Sequence, residues 1–167
     1  MLSAERVIEL LGLEPLPVEG GFFRQTYLAP EQVALGALSE RYGGARPFAS
    51  AIYYLLRGAE FSALHRLASD EVYHVYLGGA AEMLLLHPDG GHEVVVLGPD
   101  LEAGQRVQVV VPRGTWQGTR LVDSGGWALL GTTMAPAYDQ ADFELGERAE
   151  LVARYPACAT RIRALTR

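Results

Sequence analysis

The sequence predicts an all-β protein, a sandwich or jelly roll of short strands with short helices at its two ends. Three observations lead there. Between residues 22 and 134, short runs rich in β-branched and aromatic residues are punctuated at close intervals by Gly, Pro and Asp. No helix-period segment interrupts them, as a parallel sheet would require. Helical spacing is confined to the two ends of the chain. With 167 residues, 49% of them hydrophobic, there is enough apolar mass for one core, so a single domain over 1–167 is expected.

The elements follow in order. Residues 3–11 place Val7, Leu10 and Leu11 on one helical face, with Ser3 as N-cap and Gly12 as a natural stop. Gly20-Gly21 permits a tight turn into a strand on which Arg24 and Thr26 share a face by alternation. The segment 30–47, with Gly36, Gly43 and Gly44, reads as a surface loop. Strands are expected over 50–56, 72–77, 82–87, 92–97, 107–111 and 127–134, with Pro88-Asp89-Gly90-Gly91 as a hairpin turn. Helical spacing returns over 147–167, where Leu151, Val152 and Tyr155 precede Pro156, and Cys158, Ile162 and Leu165 follow it. Two short helices broken near the proline are expected.

Charge and cysteine content exclude several classes. The 14 basic residues are scattered among 20 acidic ones for a net charge of −6, which argues against a nucleic-acid partner. The single cysteine, Cys158, cannot form an intramolecular disulfide and reads as a small buried hydrophobe. Glu5, Arg6 and Glu9 interrupt the N-terminal apolar pattern, so it lacks the core of a signal peptide. No run reaches the about 18 apolar residues of a membrane helix. The expectation is a cytoplasmic protein with no membrane partner. Nucleotide-binding glycine motifs, GxSxG and CxxC are all missing.

The stretch 58–79 carries the chemistry. It runs Gly58, six residues, His65-Arg66-Leu67, three residues, Glu71, six residues, Gly78. His65 and Leu67 share a strand face, and a turn at Ala68-Ser69-Asp70 returns Glu71 to that face on the next strand. This spacing resembles the first motif of the cupin family, with Leu67 where a second metal-binding histidine belongs. Downstream, Gly104, seven residues, Pro112-Arg113-Gly114, two residues and Gln117 resemble the second motif, with Gln117 in its histidine slot and Leu121 in its asparagine slot. The segments 19–27, 50–56, 61–79, 95–121 and 131–145 look like the single-domain cupins of the uncharacterised DUF985 group. The resemblance implies an antiparallel jelly-roll (cupin) barrel with short N- and C-terminal helices, pairing as a homodimer through its sheets.

His65 and Glu71 are the leading candidate pair. They and the Gln117 amide oxygen form a reduced metal-ligand set, but an amide is a weak donor, so no cofactor or at most a weakly held divalent metal is expected. Without metal, Glu71 would orient the His65 ring, which suits a general base or an anchor for a ligand oxygen. Tyr73 shares the inward face of Glu71 and offers either an acid or an aromatic wall. Arg24 and Thr26 are expected inside the mouth, Arg24 as an ion-pair partner of Glu71 or a clamp for a substrate carboxylate or phosphate. Ser62 faces the opposite side of a regular strand from His65, and a bend would change that. His74 points away, towards another sheet or subunit, while His87 and His92 flank a solvated turn. Trp116, Tyr53 and Phe61 are assigned to packing or interface.

Three function classes remain. The first is a metal-independent isomerase or epimerase acting on a sugar or hydroxy acid, in which His65, Glu71 and Tyr73 act and Arg24, Thr26, Ser62 and Gln117 bind. This resembles, in fold, the sugar-nucleotide epimerases of the superfamily. The second is a non-catalytic module binding a small polar or anionic molecule. The third is a metal enzyme using His65, Glu71 and Gln117.

Overall fold

The computed structural model describes residues 2–167. The chain opens with helix α1 (Ala4–Leu11), whose Ser3 hydroxyl accepts from the Arg6 amide and whose C-cap Gly12 takes a left-handed conformation (φ 60°). Its buried stripe is Ala4 and Val7, with Ile8 and Leu11 half-buried behind them. Leu10, expected on that face, lies 55% exposed, because the spacing that meets the sheet is 4, 7, 8, 11.

Two antiparallel sheets face each other. The larger has the order β1 (Glu14–Pro15), β2 (Phe22–Leu28), β5 (Ser50–Arg57), β12 (Trp127–Met134), β7 (Glu71–Gly78), β10 (Gln108–Val111). The smaller has β13 (Phe143–Leu145), β6 (Phe61–Leu67), β11 (Trp116–Leu121), β8 (Ala81–Leu86), β9 (His92–Leu97). A small ladder of β3 (Gln32–Val33) and β4 (Arg46–Pro47) stands apart. Alternation along the strands sends Tyr54, Leu56, Tyr73, Met83, Leu85 and Leu130 into the space between the sheets, where they form the barrel core. The jelly-roll expectation is met, and β8 and β9 join through the turn at 88–91, closed by the His87 amide donating to the Gly91 carbonyl.

The outer faces are partly covered. Helix α1 packs on Leu55 and Leu129 of the larger sheet. Helices α2 (Arg148–Arg154) and α3 (Ala159–Ala164), separated by a 3₁₀ turn at Pro156–Cys158, bury Leu151, Cys158, Ile162 and Leu165 against Leu64, Leu84, Leu86 and Trp116 of the smaller. Among the described residues no helix is long and apolar enough to cross a membrane.

The segment 30–47 is more built than a surface loop. Arg46, only 3% exposed, donates through Nε and Nη2 to both carboxylate oxygens of Asp142 at 2.8 and 2.7 Å. That pair ties β4 to the stretch 138–143 at one end of the barrel.

Candidate functional site

One end of the barrel holds a cavity of about 440 Å³ between the two sheets. His65 and Leu67 reach it from β6, Glu71 and Tyr73 from β7, Tyr54 and Ile52 from β5, and Thr132 and Met134 from β12. Its rim is the β1–β2 turn, with Val18 and Glu19, and the stretch carrying Tyr138, Gln140 and Phe143. A larger, shallower surface concavity beside α1 lies away from this pair. Its Arg57 is already matched to Glu5 and Glu60, so the barrel cavity is the better site.

His65 and Glu71 do converge, but not as neighbours in one sheet. β6 pairs with β11 and β13, whereas β7 pairs with β12 and β10, so the turn at 68–70 is a crossover between sheets. The two side chains therefore meet across the interior. Gln117, directly opposite His65 on β11, spans the same gap and donates from Nε2 to Glu71 Oε2 at 2.7 Å.

The His65 ring is oriented by its own strand and not by Glu71. Nδ1 lies 2.8 Å from the Ala63 carbonyl, which can only accept, so Nδ1 carries the proton and Nε2 is the acceptor of the neutral ring. Phe143 stacks on the ring at 5.1 Å between centroids. The Ala63 carbonyl is available because β6 bulges there: His65 faces Gln117 and Ser62 faces Thr119, so β6 spends one more residue than β11 between these pairs. The bulge also turns Ser62 inward, which a regular strand forbids. Ser62 is fully buried and donates to Glu19 Oε1 at 2.7 Å.

Burial pushes the Glu71 carboxyl above its ordinary value of 4.5. The nearby positive form of His65 opposes this, the charge of Glu19 adds to it, and hydrogen bonds from Thr132 and Gln117 oppose it. Burial likewise raises the Tyr73 and Tyr54 phenols well above 10, reinforced by the carboxylates around them, so both stay neutral donors. At the rim, burial takes Tyr138 up to about 12.

Of the expected site residues, Ser62 and Gln117 are buried without lining the cavity, and Arg24 and Thr26 lie on the outer face. Phe23 pairs with Tyr54 on the inner face, so Arg24, opposite Tyr53, must point out. There Nη1 donates to the Leu11 carbonyl at 2.8 Å, a cation capping the C-terminus of α1. Thr26 is the extra residue of a bulge between Gln25 and Tyr27, exposed, with its hydroxyl donating to the Ala51 carbonyl. No arginine takes their place among the described residues that line the cavity. An anion clamp is therefore missing.

Several lining residues escaped the sequence. Tyr54 and Thr132 follow from strand parity once 50–56 and 127–134 are strands. Glu19, Tyr138 and Gln140 belong to irregular segments, where no periodicity points a side chain.

The donor set does not fit a tightly held transition metal. Leu67 presents hydrocarbon at one ligand position, and Gln117 directs its amide nitrogen at Glu71. Of the four motif positions only His65 and Glu71 remain as good donors, and no group of three or more His, Cys, Asp or Glu placed to hold a metal occurs among the described residues.

Comparison with known proteins agrees with this architecture. A protein from Shewanella oneidensis is 34% identical with a TM-score of 0.88, covering 100% of this chain and 99% of that one. A hypothetical protein from Leishmania major is 28% identical with a TM-score of 0.87, covering 99% of each. A cupin 2 domain-containing protein from Halorhodospira halophila shares the fold alone, at 19% identity, TM-score 0.56 and coverage of 87% and 84%. No curated protein matches. The family described as "Cupin superfamily (DUF985)" matches over residues 5–146, and with the two-sheet barrel and the glycine-framed His65 and Glu71 in place, the chain belongs to that cupin family.

Proposed function

We propose that the barrel binds a small, hydroxylated carbonyl compound of sugar size, without a transition metal, and moves a proton on it. The observation that carries this is the pairing of His65, whose tautomer the Ala63 carbonyl sets, with Glu71, held from the opposite sheet by Gln117. A base and an acid thus enter one cavity, whose about 440 Å³ falls within the range of small-molecule sites.

In the proposed step His65 Nε2 takes a proton from the carbon beside the carbonyl. The electron pair of that C–H bond moves to the carbonyl oxygen, which Glu71, favoured in its protonated form by burial, protonates to give an enediol. His65 then gives its proton to the former carbonyl carbon while the hydroxyl on the carbon first deprotonated returns a proton to Glu71, which isomerises the compound and restores both groups. Tyr73, a neutral phenol on the same strand face as Glu71, supplies a donor for the developing oxygen charge.

The test is exchange in D₂O. A panel of aldoses and ketoses is incubated with the protein, and loss of the C2–H signal is followed by proton NMR. Exchange should fall by about 10²–10⁴-fold in His65→Gln, the usual contribution of a general base. Two results overturn the reading. One is an organic ligand that co-purifies but never exchanges, which marks a binding module. The other is about one transition metal per chain, lost in His65→Ala, which marks a metal enzyme.

We further propose that two chains pair through the outer face of the larger sheet. On the outer face of the larger sheet, beyond the reach of α1, Val110 and Tyr76 are 54% and 47% exposed. Burying such side chains against a second copy follows the usual logic of a two-fold dimer.

A further inference from the structure

The β1–β2 turn, which the proton-transfer chemistry does not use, is a strained and heavily secured piece of the cavity rim. Val18 holds φ at 70°, a left-handed conformation that a β-branched side chain rarely accepts, and Gly20 and Gly21 follow with φ of 106° and 74°. Such a conformation persists only where its surroundings impose it. Here the Ala63 amide donates to the Glu19 carbonyl at 2.8 Å, and the buried Tyr54 hydroxyl to the Gly20 carbonyl at 2.9 Å. Leu16 exchanges backbone bonds with Gly20 and Gly21, and Arg167 donates to the Val18 carbonyl. A side chain at Gly20 would run into the Phe61 carbonyl.

All of these restraints act on backbone, so the Glu19 side chain is not needed to hold the turn. It enters the cavity, takes the Ser62 hydroxyl on Oε1 and keeps Oε2 for another donor. Its charge adds to the upward shifts of Glu71, Tyr73, Tyr54 and Tyr138.

We infer that Glu19 sets the charge preference of the barrel site, its carboxylate receiving a protonated amine, so that the site takes hydroxylated amines over acids of the same size. This rests on the barrel being the small-molecule site proposed above. The lining carries two carboxylates, Glu19 and Glu71, with His65 as its one cationic candidate. The rings of Phe23, Tyr54, Tyr73, Tyr138 and Phe143 add faces over which an ammonium is favoured. An acid would meet like charge at Glu19 and no arginine among the described lining residues.

Three probes of equal size separate the outcomes: glucose, glucosamine and glucuronate, titrated by ligand-observed NMR against the full chain slightly below neutral pH. Glucosamine should bind about tenfold more tightly than glucose, the margin of a charge-assisted over a neutral hydrogen bond. Glucuronate should not bind at the same concentrations. In Glu19→Gln the first ratio should fall to near one and glucuronate should be admitted. The backbone restraints should keep that variant folded, and the order of the three probes on the unaltered protein decides the matter if they do not. Glucose binding as well as glucosamine, or glucuronate binding better than either, overturns the charge preference and leaves the sugar-sized site standing. Failure of all three to bind overturns both.

Discussion

Replacing Arg46 with methionine removes the charge that holds the cavity rim to β4. The guanidinium and the Asp142 carboxylate are 4% and 5% exposed, joined by bonds of 2.8 and 2.7 Å, and Nη1 donates to the Gly44 and Ala45 carbonyls at 3.1 and 3.0 Å. Asp139, 3.7 Å from Nη1 but 44% exposed, is screened by water and adds little. Arg46→Met thus strands a buried carboxylate, and breaking one side of such a pair costs about 3–5 kcal/mol. For a chain of this size each kcal/mol lowers Tm by about 2–4 °C, so the midpoint should fall by about 6–20 °C. Thermal melting followed by circular dichroism, with a urea midpoint alongside, measures it. The double variant Arg46→Met/Asp142→Leu should recover most of the loss, since no charge is then left without a partner. A single variant melting within about 2 °C of the parent, or a double variant less stable than the single one, would falsify the ion-pair account.

Four further outcomes are expected. Leu67→His combined with Gln117→His should raise affinity for Ni or Zn strongly, because two imidazoles join His65 and Glu71 in a preformed cavity, and calorimetric titration showing no gain over the parent would count against the donor-set reading. Glu71 has its folded-state pKa raised above 4.5, so its contribution is fully present below that value and declines as pH rises through the folded pKa. Relative to the parent, Glu71→Gln should therefore gain stability between acid and neutral pH, and parallel urea-midpoint curves across that range would contradict it. Burial raises the Cys158 thiol, and the residue is 3% exposed, so Ellman's reagent should label the native protein slowly and the urea-unfolded protein at once. Light scattering should give the mass of two chains, reduced to one by Val110→Asp; a monomer at micromolar concentration would dispose of the sheet-to-sheet dimer.

Much of this protein was legible in its residue order, and for a local reason. Strand alternation is a property of a few consecutive residues, so SAIYYLL alone puts Ser50, Ile52 and Tyr54 on one face, and His65, Leu67, Glu71 and Tyr73 come inward by the same rule. Glycines at motif spacing, the Ser3 cap and Pro156 are equally local, and so is the loss of donors at Leu67 and Gln117.

What lay beyond the sequence depends on contacts between distant segments. The direction of Arg24 is fixed by its pairing with Tyr53, twenty-nine positions away, and by the C-terminus of α1 waiting for a cation. One bulged residue in β6 brings Ser62 inward and frees the Ala63 carbonyl for His65, although nothing in FSALHRL announces it. The sheet assignment of β6 and β7, which makes His65 and Glu71 face each other across the core, is a matter of topology. Glu19 enters the cavity from an irregular turn held by partners at 54, 63 and 167, so tertiary packing alone decided that two carboxyl groups, and no arginine among the described residues, line the barrel cavity.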